Sequence, residues 1–326
     1  MKISVIVPCY NEERTIAHLL EALRQQTVGT KAFEVIIADG MSTDATRQVI
    51  QNYLQEHAEL TVRVVDNPKR HIPSGLNRAL EVSTGEIIVR LDAHCIPAPD
   101  YLERCVEALQ AGKGENVGGV WQIQPSGEGW IARAIAAAAG HPLGVGDALY
   151  RFTSQPALVD TVPFGAFRRE TLARVGFYDE TLLTNEDYEL NARIRKQGGK
   201  IYLDPAIRSI YFARNTLSAL AKQYFRYGYW KWRMLRRYPE TLRWRQALPP
   251  LFVLSLLVLL ISGVFFRPLW LFLVAEIGVY LLALWLGALP VAWRKKDVWL
   301  GIGIPLAIMV MHVSWGSGFL WSMMRK

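Results

Sequence analysis

Two short acidic clusters in this chain of 326 residues are spaced for work on phosphates and hydroxyls. In VRLDAHC, Asp92 and His94 are separated by one small residue at the end of an apolar run. On a loop leaving a strand, that spacing lets both side chains turn toward one ion. An Asp oxygen and a His nitrogen suit Mn2+ or Mg2+, with diphosphate oxygens and water completing the shell. The plainer alternative is Asp92 capping the next turn. The second cluster, Asn185-Glu186-Asp187, precedes YELNARIRKQGGK, a helical pattern closed by Gly198 and Gly199. A carboxylate at a helix N-terminus is held ionised, as a general base must be, although it could equally serve only the helix dipole.

The surrounding pattern supplies elements to hold these groups. Residues 3–7, 33–38, 62–65 and 87–91 are short, apolar and rich in β-branched side chains. Helical patterns lie at about 12–26, 43–57, 74–83 and 99–110. Such alternation predicts an α/β fold with a mostly parallel sheet and helices on both faces. Ligands of such sheets bind beyond the carboxyl ends of the strands. The polar residues gather there, at 8–12, 39–44, 66–70 and 92–94. No G-x-G-x-x-G follows a strand, and neither a P-loop nor H-E-x-x-H occurs, so dinucleotide redox, P-loop hydrolysis and zinc-helix proteolysis lose their support.

Charge and hydropathy divide the chain. Residues 207–245 hold ten Lys/Arg and one acid, and residues 246–326 carry +4, which leaves the first 206 residues at −5 out of a total of +8. The basic charge is thus a local stripe, and nucleic acid is not an expected partner. Three cysteines (Cys9, Cys95, Cys105) are too few for a disulfide scaffold. Residues 248–266, 268–293 and 298–324 are each long and apolar enough to cross a membrane, which takes about 20 residues. Glu276 and His312 fall inside them and are expected to be paired with other side chains. Counting Lys and Arg in the flanks puts the stripe and the 294–296 loop in the cytosol and Arg267 outside. Three crossings would then leave Arg325 and Lys326 outside, against the same rule. The stripe itself, QYFRYGYWKWRMLRRYPETLRW, mixes rings with cations and predicts an interfacial helix touching anionic lipid.

Together VIVPCYNEE, VIIADGMSTDAT, GLNRAL, RLDAHC and TNEDYEL resemble, in order and spacing over about residues 1–210, family 2 of the inverting glycosyltransferases with the GT-A fold. GGKIYLDP, SALAKQYFRYG and HVSWGSGFL extend the likeness to a subgroup resembling succinoglycan-type exopolysaccharide glucosyltransferases. The resemblance implies that Pro8, Tyr10 and Glu12 hold nucleobase and ribose, with Asp39 at the uracil edge and Asp44 in the same turn. It puts Arg70 and Asn77 near the diphosphate and donor sugar, and Asp92 and His94 on the metal, His replacing the usual second Asp. Asp187 matches the catalytic base, with Glu186 supporting it. Gln223, Arg226 and Tyr227 look like a Q-x-x-R-W motif with Tyr for Trp, the first two bordering the diphosphate and Tyr227 the acceptor. His141, Arg151 and Gly165 lie in the stretch that faces the acceptor in the family.

The expectation is a cytosolic catalytic domain over residues 1–210, an interfacial segment over 211–246 and a membrane domain over 247–326. It would be a multi-pass protein of the bacterial cytoplasmic membrane. The enzyme would move a hexose from UDP-glucose or UDP-galactose, with Mn2+ or Mg2+, to a polyprenyl-diphosphate-linked glycan for extracellular polysaccharide. Polysaccharide-assembly proteins are possible partners. The alternatives are a polyprenyl-phosphate glycosyltransferase and a non-catalytic scaffold of an export complex.

Overall fold

A computed structural model describes residues 2–325. Along the chain run β1 (Ile3–Cys9), α1 (Ile16–Arg24), β2 (Phe33–Asp39), α2 (Thr46–Glu56), β3 (Val62–Asp66), α3 (Ile72–Val82) and β4 (Ile87–Arg90). There follow β5 (Ile96–Pro97), α4 (Tyr101–Gln110), β6 (Asn116–Pro125), α5 (Trp130–Ala139), α6 (Pro142–Val145), β7 (Ala157–Leu158) and β8 (Ala166–Arg168). The rest is α7 (Arg169–Val175), α8 (Glu186–Lys196), β9 (Ile201–Ala213), α9 (Leu217–Leu235), α10 (Trp244–Phe265), α11 (Leu269–Lys295) and α12 (Leu300–Met324). These elements fall into two compact units. One holds the residues up to Gln122 and Phe152–Tyr211; the other holds Ile123–Arg151 and the residues from Phe212 onward.

In the first unit the four anticipated strands form one parallel block, β3-β2-β1-β4. Beyond it the sheet turns antiparallel, β8 pairing with β4 and β6, and β5 and β7 each pairing with β9. The sheet is therefore mixed, with its parallel half carrying the loops of interest. Its strands read as unbroken apolar runs because both faces are covered. Val5, Val7, Val35, Ile37 and Val89 pack with Leu19 and Leu23 of α1 and Leu102 of α4. The alternate residues Ile6, Ile36 and Ile88 are buried as well, and α3 packs on β1 and β2.

The second unit is helical. It includes residues 123–151, which the sequence places with the catalytic domain: α5 is apolar and packs against α12. Helices α10, α11 and α12 are each long and apolar enough to cross a membrane. Glu276 accepts a hydrogen bond from Ser255 at 2.5 Å, and His312 Nδ1 lies 3.0 Å from the Tyr280 hydroxyl, so the polar groups within these apolar helices are paired. The basic stripe runs from the end of β9 through α9 to the start of α10, and its cations differ in their surroundings. Lys231 is buried, with Nζ 3.3 Å from the Thr241 carbonyl, while Arg243 and Arg245 reach Asp147. The stripe, read from the sequence as an interfacial helix touching anionic lipid, thus also serves as internal structure.

Helices α9 and α12 touch backbone to backbone. A Cβ at Gly228 would strike the Trp315 carbonyl, and one at Gly318 the Phe225 carbonyl. Overpacking a tight contact costs about 1–3 kcal/mol. Gly228→Ala should therefore lower the Tm of the detergent-purified protein by several degrees; an unchanged Tm would speak against this packing.

Candidate functional site

The carboxyl ends of β1, β2 and β4 open on one edge, because β1 is parallel to both neighbours, with Cys9 opposite Asp39. Hydrogen bonds lace the loops that leave this edge. The Asn11 amide donates to Ser42 Oγ at 2.9 Å, and the Glu12 amide to Thr46 Oγ1 at 2.7 Å, joining the first loop to the second. Glu12 Oε1 lies 2.9 Å from His94 Nδ1, joining the first loop to the one after β4.

Asp39 is fully buried and accepts from Ser42 Oγ at 2.5 Å and from Arg47 Nε at 2.6 Å. Arg47 also reaches Asp66, so one cation joins the ends of β2 and β3. Asp44 accepts from the Thr46 amide at 3.0 Å and fixes the start of α2. Pro8 is part of β1, paired with Ala38, while Tyr10 stands exposed beside Gly40. Arg70 is exposed and holds a positive φ of 58°.

Around β4 the centre is Arg90, which the sequence analysis did not single out. Its side chain is only 4% exposed, and three carboxylates surround it. Nη2 lies 3.1 Å from Asp92 Oδ1 and 3.0 Å from Glu186 Oε1, and Nη1 meets Asp187. Burial works against its charge, but Asp187, Asp92 and Glu186 more than offset that and keep the guanidinium cationic. The loop carrying Asp92 and the helix carrying Asp187 are thereby fastened across 95 residues of sequence. A cation closing an otherwise apolar strand (IIVR) is the one sign of this in the sequence.

Asp187 keeps 26% of its side chain open to solvent. Burial raises its carboxyl to about 7, with Glu186 and Asp92 adding to the rise and Arg90 opposing it. Tyr178 is a second residue missed from the sequence. Its buried hydroxyl has no hydrogen-bond partner, and burial followed by the charge of Asp187 pushes its pKa up.

Several contacts hold α8 in place. Arg193 spans Glu189 of the same helix and the Val175, Gly176 and Phe177 carbonyls. Tyr188 donates to Asp160 at 2.6 Å, and Asn191 accepts from Asn116 at 2.6 Å. Asn77 donates to the Tyr178 carbonyl at 2.9 Å and accepts from the Tyr178 amide at 2.9 Å. Its amide also reaches Glu180, so it braces the approach to α8. Gly165 has φ +45°, and its carbonyl accepts from the Arg90 amide at 3.0 Å, a backbone role in the turn before β8.

The other residues named from the sequence belong to the second unit. His141 caps α6 through the Leu143 amide at 3.1 Å and lies 3.1 Å from the Gly287 carbonyl. Arg151 donates to the Ala139 carbonyl at 3.1 Å. Gln223 donates to the Tyr227 hydroxyl at 2.9 Å, one turn along α9, on which Arg226 is exposed.

Among the described residues, no three His, Cys, Asp or Glu side chains gather as a metal-holding group. Asp92 and His94 still fit an ion completed by a substrate, since Mg2+-type sites commonly take one or two protein ligands plus phosphate oxygens. The Glu12 carboxylate on one His94 nitrogen also matches the outer partner that metal-bound imidazoles generally have.

Known proteins resemble this chain in sequence and in fold. The family model described as Glycosyl transferase family 2 matches residues 4–176. The succinoglycan biosynthesis protein ExoA of Rhizobium meliloti is 31% identical over 97% of this chain and 93% of its own. A Methanococcus voltae dolichyl N-acetyl-alpha-D-glucosaminyl phosphate 3-beta-D-2,3-diacetamido-2,3-dideoxy-beta-D-glucuronosyltransferase is 26% identical over 97% of this chain and 95% of its own. Among solved structures, the mannosyltransferase PcManGT of Pyrobaculum calidifontis, in complex with GDP-Man and Mn2+, superposes with a TM-score of 0.62 at 17% identity, covering 96% of this chain and 86% of that one. S. aureus TarS residues 1–349 with UDP-GlcNAc gives 0.52 at 19% identity, over 69% of this chain and 66% of that one. These two likenesses establish the GT-A fold. A family model spanning more than half of the chain, and a relative 31% identical along nearly all of it, show that this protein belongs to glycosyl transferase family 2.

Proposed function

We propose that this protein is a membrane-anchored inverting hexosyltransferase that extends a polyprenyl-linked sugar during extracellular polysaccharide synthesis. The observation that carries this reading is the fastening of Asp92 and Asp187 to one buried arginine. It puts a candidate ion ligand and a candidate base at one place, beyond the strand ends where a nucleotide sugar would lie. Asp187 would take the proton of the acceptor hydroxyl as that oxygen attacks the anomeric carbon, with Glu186 supporting it through Arg90. Asp92 and His94 would hold a divalent ion, which would supply positive charge near the departing diphosphate. One displacement inverts the anomeric centre, so an α-linked UDP-glucose or UDP-galactose yields a β-linkage.

Asp39, Tyr10 and Pro8 would receive the nucleobase, with Asp44 shaping the same loop. Arg70 would meet the diphosphate. The structure gives Asn77 and Glu12 bracing partners, so their part in donor binding would be indirect. By their motif, Gln223 and Arg226 on α9 remain candidates for the diphosphate, and Tyr227, His141 and Arg151 for the acceptor.

The lipid-linked acceptor rests on the apolar helices and on the names of two relatives, one in succinoglycan biosynthesis and one acting on a dolichyl-phosphate-linked sugar. The catalytic unit would face the cytosol at the bacterial inner membrane, where exposed cations such as Lys222 on α9 and Arg236 just after it would meet anionic headgroups. Membranes containing the protein, given UDP- and GDP-sugars with Mn2+ or Mg2+, should add one hexose mass to a polyprenyl-linked glycan. A product in which the bare carrier phosphate gains the sugar would favour the polyprenyl-phosphate enzyme. Absence of both transfer and metal-dependent donor hydrolysis would favour a scaffold. Because the Asp187 carboxyl is raised to about 7, protonation should remove the base at acid pH. The rate should rise with pH through a limb centred near 7 and then level; a rate unchanged from pH 5.5 to 8 would speak against Asp187 as the base.

A further inference from the structure

We infer that only α10 and α11 cross the membrane, and that α12 ends on the side from which α10 enters. By length and composition α12 qualifies as a third span. Its packing points elsewhere. A helix rises 1.5 Å per residue, so in a spanning α12 residues 315–319 would lie about 22–28 Å beyond Leu300. That is close to the far side of a hydrocarbon core of about 30 Å.

Two sets of contacts hold residues 315–319 at the near side instead. The first is with α9. Gly228 faces the Trp315 carbonyl, Gly318 faces the Phe225 carbonyl, and the Trp232 ring lies 5.4 Å from that of Phe319. Helix α9 exposes Lys222 and Arg226, cations that are costly in hydrocarbon. Wherever α9 rests, the last third of α12 rests with it. The second set is with the entry of α10. Trp315 Nε1 donates to the Gln246 carbonyl at 3.2 Å, and a Cβ on Gly316 would lie 2.5 Å from the Pro249 carbonyl oxygen. Both partners sit in the first two turns of α10, beside Arg243 and Arg245.

The beginning of α12 also has polar company. Trp299 packs on Trp130 at 5.7 Å, and Arg133 of α5 pairs with Asp297 at 2.9 Å. Leu300, Ile304, Ala307, Ile308 and Met311 are buried within the unit, so this part of the helix is largely covered by protein.

Helices α10 and α11 behave differently. They form a hairpin registered by Ser255 on Glu276, Phe252 on Tyr280 and Gly263 against Trp270. The outer half of that hairpin is bare: Phe265 is 85% exposed and Leu271 74%. Bare apolar surface suits lipid, whereas a protein-covered helix fastened to a cationic one suits the headgroup level. With two crossings, Arg325 joins the basic side with Arg243 and Arg245, and the count of flanking cations becomes consistent.

The two topologies differ on one point, whether residues 267 and 324 share a side. Single cysteines at these exposed positions, R267C and M324C, are introduced into the full chain. The three native cysteines are buried, so the wild type sets the background. Labelling by a membrane-impermeant maleimide is read in intact cells and in inside-out vesicles. The inference expects R267C to react from one side and M324C from the other, each at least tenfold above its labelling from the opposite side. Reaction of both cysteines from the same side would overturn it.

Discussion

Asp187→Asn should lower the rate of sugar transfer by about 10²–10⁴-fold while leaving the protein folded, since general-base help is worth that much. The amide keeps the shape of the side chain but loses its ability to take a proton and its charge toward Arg90, which Asp92 and Glu186 still pair. Asp187 lies at the start of α8, a helix held by contacts that do not pass through it, among them Arg193 to the 175–177 carbonyls and Tyr188 to Asp160. The Tm should therefore stay near that of the wild type, and donor binding should change little. Transfer at the wild-type rate by folded Asp187→Asn would remove the base from this mechanism.

Arg90→Met should have an effect of similar size on activity, and a larger one on stability. Methionine fills much of the volume but leaves Asp92, Glu186 and Asp187 facing one another with no cation among them. Removing one member of a buried ion pair typically costs about 3–5 kcal/mol. The penalty should be visible as a lowered Tm, and transfer should fall by at least 10²-fold as Asp187 drifts or takes up a proton. Arg90→Lys keeps the charge but loses the fork that holds two oxygens at once, so it should recover most of the stability and only part of the rate. Wild-type activity and Tm in Arg90→Met would show that the three carboxylates do not depend on it.

Much of this site was legible before the fold was known, and the limits have physical causes. The four parallel strands are apolar runs of four or more residues, long enough to be read, and the acids that follow them mark the edge that carries the candidate site. β5 and β7 are two residues each, too short to carry a period, and the antiparallel half of the sheet was accordingly missed. Arg90 escaped because the spacing of residues shows which groups follow a strand, whereas its role depends on Glu186 and Asp187, brought in by tertiary structure alone. The motif of Asn77 points to the donor, whereas its side chain braces Tyr178 and Glu180. The sequence places the stretch 123–151 with the catalytic domain, whereas its packing groups it with the helical unit. Its apolar helix α5 has ten residues, too few to signal a membrane-associated unit, and only the packing against α12 shows where it belongs.

The anomeric configuration of the bond this enzyme makes tests the central claim most directly. With an α-linked nucleotide sugar as donor, proton NMR of the purified product should show the large H1–H2 coupling of a β-glucoside or β-galactoside, as a single displacement assisted by one base requires. An α-linked product would mean two displacements or a front-face path, and would contradict a mechanism in which Asp187 alone activates the acceptor.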